Sequence, residues 1–496
     1  MSAVPVPPGR LAPANLLIVM SDEHDPRWMG CSGDPLILSP NLDRLASQGI
    51  RYTSAYTTSP ICVPARAAFA TGRYIHQIGY WDNADAYDGK VPSWHHRLRD
   101  AGHRVVSVGK LHFRSTEDDS GFSEEIIPMN VVDGKGDQYG LLRGDRMPPR
   151  TDGKKMAGLA GPGESEYTWY DREIAARAQI WLREEAPRHS DRPWVLFVSF
   201  VAPHFPLKAP PHWYYRYPMH RIPMPKLYRQ AERPDHPYVR DQAENLRYDE
   251  YFDDDAAVKR ARAGYFGLVS SLDENIGHLL DTLQDCGLAE NTRVMYTSDH
   301  GDNLGARGLW GKSVMFEEPT RVPLILSGPG VPRGAVHGGP VSHVDVYPTI
   351  MQCVGHDRPD ADDRPGVSLL ELASGAAPDR SVLSEYHAMA SRAGEYMVRF
   401  GRWKYVHFVH YPKRPQLFDL QTDPEELVDL AADPRFAAQR AEGEDRLRAM
   451  LDPEAVDRRA KERQAQLIEE GGGWEAIQAK GGFGYSPPPG FRAEFD

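Results

Sequence analysis

A few short stretches carry the side chains able to do chemistry. Cys62 opens the run Cys62-Val-Pro-Ala-Arg66, and Thr71-Gly72-Arg73 follows it. Pro60 and Pro64 keep the entry extended or at a first helical turn, the Ala-rich run beyond favours helix, and Gly72 stops it. Cys62 is therefore expected at a helix N-terminus, where unpaired N–H groups favour an anion, with Arg66 about one turn on. A thiol in that field is expected to ionise easily and to react. The other clusters are Asp22-Glu23-His24, Lys110-Leu-His112, His204, and Asp299-His300. Carboxylate oxygens and an imidazole suit one divalent cation, and the lysines and arginine suit a tetrahedral oxyanion. That is the inventory for metal-assisted transfer of a sulfuryl or phosphoryl group, in which charge stabilisation dominates. Each has a plainer reading: a buried core cysteine, an aspartate capping a turn, a solvated lysine and histidine.

Strands must bring these clusters together. Asn15–Met20, Arg104–Val108, Pro193–Val201 and Thr292–Ser298 are apolar runs with β-branched members, each ending at one of the polar clusters. Such runs read as strands buried on both faces of a parallel sheet, whose carboxyl edge is where open α/β sheets place their sites. Arg321–Leu326 is a further strand, and Ser39–Gly49, Trp94–Gly102, Tyr167–Glu185 and Ala256–Cys286 are helices. Residues from Thr116 to Gly163 show little periodicity and read as an excursion over the sheet, a lid or an oligomer contact. A composition shift at Ser374–Asp379 divides the chain into residues 1–375, a catalytic α/β domain, and residues 376–496. In the second part, short apolar pieces at Val382–Tyr386, Glu395–Phe400, Trp403–Phe408 and Gln416–Leu420 predict a small antiparallel sheet. A charged helical region (Arg435–Glu470) follows, then a tail carrying Trp474, Phe483, Tyr485 and Phe491 that reads as docking on another surface, such as a second subunit.

The chain has 496 residues and a net charge of −12, a poor match to nucleic acid. Its four cysteines form no CxxC pair, which suits a reducing compartment. Met1–Arg10 is proline-rich, without a basic start and apolar core, and no apolar run is long enough to span a membrane. A cytoplasmic location and no membrane partner are expected.

Cys62-Val-Pro-Ala-Arg66 with Thr71-Gly72-Arg73 resembles the signature of type I sulfatases, in the alkaline phosphatase superfamily. Gly109-Lys110-Leu-His112, Pro203-His204-Phe-Pro206, Asp299-His300-Gly301 and Lys312 match further elements of that family. The run Ser298–Lys312, with Gly33-Asp-Pro35, Pro40–Asp43 and Asp82-Asn83, is similar to the choline sulfatase and phosphonate monoester hydrolase branch. The resemblance implies an alkaline-phosphatase-like fold: a large mixed, mostly parallel sheet flanked by helices, plus the small C-terminal antiparallel sheet. It implies that a maturation enzyme oxidises Cys62 to formylglycine, an aldehyde that hydrates to a diol. It implies one divalent ion, Ca²⁺ or Mn²⁺, on Asp22, residue 62, Asp299 and His300, and leaves open whether Glu23 joins them.

On the same basis Arg66, Lys110 and Lys312 would offset charge on the sulfuryl oxygens, His204 would protonate the leaving group, His112 would act as base, and Asn83 would contact the bound ester. The implied activity is hydrolysis of small organic sulfate monoesters, arylsulfatase-type, with choline-O-sulfate an open substrate. Trp28, Trp81, Glu385, Tyr386 and the tail are candidate pocket walls. A homo-oligomer, dimer or tetramer, is expected. The rivals are a phosphonate monoester or phosphodiester hydrolase with the same nucleophile, and a non-catalytic binding protein that keeps the fold.

Overall fold

The computed structural model describes residues 11–356, 362–377 and 379–495, so the proline-rich start lies outside the described residues. Eight strands form the main sheet: β1 Asn15–Asp22, β2 Gly49–Tyr52, β3 Val105–Lys110, β4 Glu124–Met129, β5 Val195–Pro203, β6 Thr292–Ser298, β7 Leu324–Ser327 and β8 Ala335–His337. Their order across the sheet is β8-β2-β7-β6-β1-β5-β3-β4. All pairs are parallel except those made by β7 with β6 and β2. The sheet is therefore mixed and mostly parallel.

The apolar runs form central strands because both faces are covered. Leu17 and Val19 of β1 face a core with helices α1 (Pro40–Ser47), α4 (Glu166–Glu184) and α5 (Asp255–Asp285), while Leu16, Ile18 and Met20 face one with α2 (Cys62–Thr71), α3 (Trp94–Asp100) and α6 (Val346–Val354). Gly72 ends α2 at φ 67°, with α6 so close that a Cβ there would meet Tyr347 Cβ at 2.6 Å. The parallel strands β1, β3, β5 and β6 end on one edge, and all four polar clusters follow those ends.

Two sequence readings change. The stretch Thr116–Gly163 contributes the edge strand β4 and a short helix, Asp152–Leu159. The residues of β4, Glu-Glu-Ile-Ile-Pro-Met, are largely half-exposed, so the buried-strand pattern does not apply to them. The charged region Arg435–Glu470 is two helices, α7 (Ala437–Met450) and α8 (Pro453–Glu470), broken where Pro453 begins a new helix capped by Asp452.

Strands β9 Ser381–Tyr386, β10 Glu395–Phe400, β11 Trp403–Phe408 and β12 Gln416–Asp419 form the antiparallel meander. Val382, Met397 and Val406 pack it onto Tyr56, Ile61 and Phe316 of the larger body. Leu383, Val398 and Tyr405 face Leu447 of α7 and Val456 and Ala460 of α8. The aromatic tail, read as docking elsewhere, docks on its own chain: Tyr485 meets Tyr167 and Phe205 edge-on, and Tyr167 Oη donates to the Ser486 carbonyl.

Candidate active site

Cys62 is the first residue of α2, after the extended Ile61. Asn83 Oδ1 accepts from the Val63 N–H at 3.1 Å, satisfying one of the open donors of that helix end. The thiol is buried, with Sγ 3.2 Å from His300 Nε2, 3.2 Å from Lys312 Nζ and 3.7 Å from Asp22 Oδ1. Strand ends β1 and β6 supply Asp22, Asp299 and His300, and β5 leads to His204.

Asp22 Oδ2 accepts from Lys110 Nζ, leaving Oδ1 toward Cys62 and His300. Arg66 Nε donates to Asp299 Oδ2 at 2.8 Å, and its Nη1 to the Lys110 carbonyl and Ser199 Oγ. His300 Nδ1 lies 3.0 Å from the Gly301 carbonyl. A carbonyl only accepts, so Nδ1 carries the proton and Nε2 presents a lone pair toward Cys62 and Asp22. His204 follows the same logic: Nδ1 donates to the Phe205 carbonyl at 2.7 Å, and Nε2 accepts from Lys312 Nζ at 3.0 Å. Lys312 also pairs with Glu23 Oε1. His112 sits at φ 54°, buried, with both ring nitrogens unpartnered.

Burial alone would raise the Asp22 carboxyl, but Lys110 first, with Lys312 and Arg66, holds it well below its usual value. Burial pushes Glu23 up to about 8 against the pull of Lys312, and the neighbouring Asp302 and Asp22 add to the rise. His112 and His204 are held neutral, first by burial and then by the nearby lysines. The easily ionised thiol expected from sequence is overturned: burial, then the Asp22 carboxylate, push Cys62 up to about 12, outweighing Lys312 and Lys110. Helix-end polarity and Arg66 do not compensate, because Arg66 is committed to Asp299.

All ten residues expected at the site surround one centre or its cavity. Asp22, Cys62, Asp299 and His300 each offer a donor atom, all within 4.8 Å of one another and all buried; Asp22, Glu23 and His204 form a second such group. Two carboxylates and an imidazole lone pair converging on residue 62 fit a single divalent cation. Above them lies a cavity of ≈ 60 Å³, lined by Cys62, Asn83, His112, His204 and Lys312. Trp28, Trp81, Glu385 and Tyr386 are not on its wall; Glu385 instead binds His76 and His387. The tail is, through Phe483–Ser486. Sequence reasoning missed Tyr167, Tyr248 and the trio Asp137–Arg150–Asp152, which also line it. Tyr167 stands in the first turn of the α4 helix, where its spacing marks only core packing, and the others come from aperiodic segments; Arg150 binds both aspartates.

The sulfatase family model matches residues 14–356, and a model of the N-sulphoglucosamine sulphohydrolase C-terminal region matches residues 305–452. The chain belongs to the sulfatase family. It is 35% identical over 468 residues to a choline-sulfatase of Rhizobium meliloti, covering 91% of this chain and 90% of that one. It is 29% identical to arylsulfatase K of Bos taurus, covering 84% and 78%. A solved phosphonate monoester hydrolase of Agrobacterium radiobacter shares the fold at TM-score 0.70 and 22% identity, over 88% of this chain and 95% of that one. This sulfatase is thus a sulfuric ester hydrolase. Its family implies a metal ion and a formylglycine, and the four-residue donor set is the place that fits them. Among the described residues of the sulfatase, no helix is long and apolar enough to cross a membrane.

Proposed function

We propose that this sulfatase hydrolyses small organic sulfate monoesters at residue 62, with choline-O-sulfate the first substrate to test. The observation that carries the reading is the convergence of Cys62, Asp22, Asp299 and His300 beneath a cavity walled by lysine and histidine. The cavity, at ≈ 60 Å³, favours a small ester over a polymer end. Tyr167, Phe205 and Tyr485 offer aromatic faces, and Asp137 and Asp152 offer two carboxylates against one Arg150. An alkylammonium leaving group suits such a wall.

Asp22, residue 62, Asp299 and His300 would hold the ion, and the imidazole favours Mn²⁺ over Ca²⁺. The metal supplies Lewis acidity and the formylglycine hydrate a nucleophilic hydroxyl. Lys110 and Lys312, beside Asp22 and Cys62, face the sulfuryl oxygens and offset their charge. Arg66 orients Asp299. His204 Nε2, already accepting from Lys312, is the atom through which a proton reaches the leaving oxygen. His112, neutral and unpartnered, takes a proton at a free ring nitrogen. Cys62 is 1% exposed, so the maturation enzyme must reach it before the chain closes around it.

The test measures turnover of choline-O-sulfate, an aryl sulfate and an aryl phosphonate monoester, with mass analysis of the peptide carrying residue 62. Aldehyde at that position and preference for a sulfate ester are expected. Faster phosphonate cleavage would move the chain to phosphonate hydrolysis, and unmodified cysteine in fully active protein would end the reading.

A further inference from the structure

A larger cleft, ≈ 600 Å³, lies apart from the active-site cavity and shares no lining residue with it. It opens beside the turn after β1, the start of α5 and the loops before β7. Its walls carry Arg27, Arg51, Lys226, Arg262 and Arg321, against the carboxylates Asp34, Glu318 and Glu425. Behind the wall Asp25 also pairs with Arg27 and Glu317 with Arg321, so the cluster is near balance in a protein that carries −12 as a whole.

The carboxylates do not serve every cation. Glu318 and Glu425 are taken by Arg27 and Lys226, at 2.7–3.2 Å. Asp34 accepts from the backbone N–H groups of Leu36 and Ile37. Arg262 is 3% exposed, and among the described residues its one hydrogen bond is from Nη1 to the Leu304 carbonyl, with no carboxylate in reach. Its guanidinium lies 5.1 Å from the Trp28 ring centre, and its Nε is a buried donor without an acceptor. Trp28 Nε1 is in the same condition, whereas Arg321 Nε faces Glu317 Oε2 at 3.8 Å. Two orphaned donors, and one charge with no carboxylate within ion-pair distance, all on residues of one cleft, call for acceptor oxygens that the chain itself does not provide. Burial first, then the neighbouring Arg27, lower Arg262 to about 9, and the more distant carboxylates Asp25, Asp34 and Asp302 do not restore it.

We infer that this cleft is a second, non-catalytic binding site for an oxyanion group, sulfate or phosphate, carried on a small organic molecule, with Arg262 as its anchor. Arg262 offers a planar set of N–H donors matched to an oxyanion's oxygens. The cleft is far larger than the oxyanion alone, and the Trp28 face and the Asn303 Oδ1 acceptor, itself unpartnered, are placed to meet the organic remainder. The site lies outside the Cys62 cavity, so it stands whether or not the substrate assignment holds.

The test titrates inorganic sulfate and, separately, inorganic phosphate into the metal-loaded full chain by calorimetry, and soaks crystals with selenate to locate the anion by its anomalous signal. The expected result is an anion within hydrogen-bond reach of Arg262, and a binding event in solution that Arg262→Met weakens about tenfold or more. Arg51→Gln, at a half-buried position, weakens the same event less and keeps the test open if the first variant fails to fold. Initial rates on a sulfate ester stay within about twofold in both variants, because neither residue lines the catalytic cavity. Tighter sulfate than phosphate points to the enzyme's own product as the source of the group; the reverse points to a phosphorylated molecule. A selenate peak with no calorimetric event at millimolar anion means an adventitious ion only and overturns the proposal. So does a peak, or an affinity, that Arg262→Met leaves unchanged.

Discussion

Two regions of this sulfatase bury dense sets of opposite charges, and they differ in what they leave open. Around Cys62 the groups Asp22, Glu23, Lys110, Arg66 and Lys312 are fully or nearly fully buried and mutually paired, yet Glu23 Oε2 and both nitrogens of His112 have no hydrogen-bond partner. Glu23 and His112 also sit at φ 66° and 54°, a backbone region that bulky residues avoid. Beneath the C-terminal sheet, Glu318 is shared by Arg307, Lys226 and Arg27, and Lys404 bridges Glu317 and Glu426. There the carboxylates meet cations from distant segments and pin the small sheet to the larger body. Buried charge alone therefore does not mark a catalytic centre. Nor does strained backbone, since Arg307 sits at φ 57° with Nε unpartnered; the Cys62 cluster stands apart because Glu23 and His112 keep their unspent valences on the lining of a cavity.

The largest effect should come from Cys62→Ala. Loss of the nucleophile should cut sulfate ester turnover by about 10⁴-fold or more, with melting temperature nearly unchanged. Equal losses of turnover and stability would mean that Cys62 is packing and nothing else. Glu318→Gln should do the opposite. Burial would raise this carboxyl, but Arg307, Lys226 and Arg27 hold it well below its usual value, so removing its charge leaves buried Arg307 with only Glu426, at 3.9 Å, and weakens the pairing of the other two. A loss of about 3–5 kcal/mol in denaturant unfolding is expected, with turnover per folded molecule retained.

Glu385 sharpens the contrast at intermediate size. Against the upward push of burial, His76 and His387 hold it at about 2 in the folded protein. A carboxyl depressed on folding adds stability at pH values above its unfolded pKa, and that stability is lost as pH falls through the folded value. The gap corresponds to about 3 kcal/mol. Glu385→Gln should therefore destabilise the protein at pH 6, and the difference from wild type should shrink between about pH 4.5 and pH 2. A change in leaving-group preference instead would return Glu385 to the pocket wall, where the structure does not place it.

The difference between the two regions also decides what the sequence disclosed. Central strands announced themselves because burial on both faces writes an unbroken apolar run, as in Leu16–Met20, and the polar residues that follow fall on one edge by parallel pairing. Asp22, Lys110, His204 and Asp299 were legible for that reason. The edge strand Glu124–Met129 was not, since half-exposed residues carry no such signature. The thiol's raised pKa was not legible either, because it depends first on burial and then on Asp22, a carboxylate 40 positions away in sequence and 3.7 Å away in space. Arg262 carries no mark in the sequence; only the fold shows that it is buried with no carboxylate within ion-pair distance.

The tail lies between the two regions in kind, touching the cavity yet held by few contacts. Tyr485 meets Tyr167 with ring centres 5.0 Å apart and Phe205 at 5.8 Å, and the Tyr167 hydroxyl reaches the Ser486 carbonyl at 2.7 Å. Aromatic pairs of this kind contribute about 0.5–1.5 kcal/mol each. Such a strap opens locally at low cost while the sheet stays closed. Tyr485→Ala should therefore raise KM for a small sulfate ester about three- to tenfold and leave kcat and global stability within about 1 kcal/mol. Tyr167 stacks edge-on with His204 at 5.7 Å, so the tail also reaches the proposed proton donor through one ring. If kcat and kcat/KM fell together instead, the tail would be acting on the transition state through His204. Its contacts would then belong with the catalytic cluster rather than with the wall.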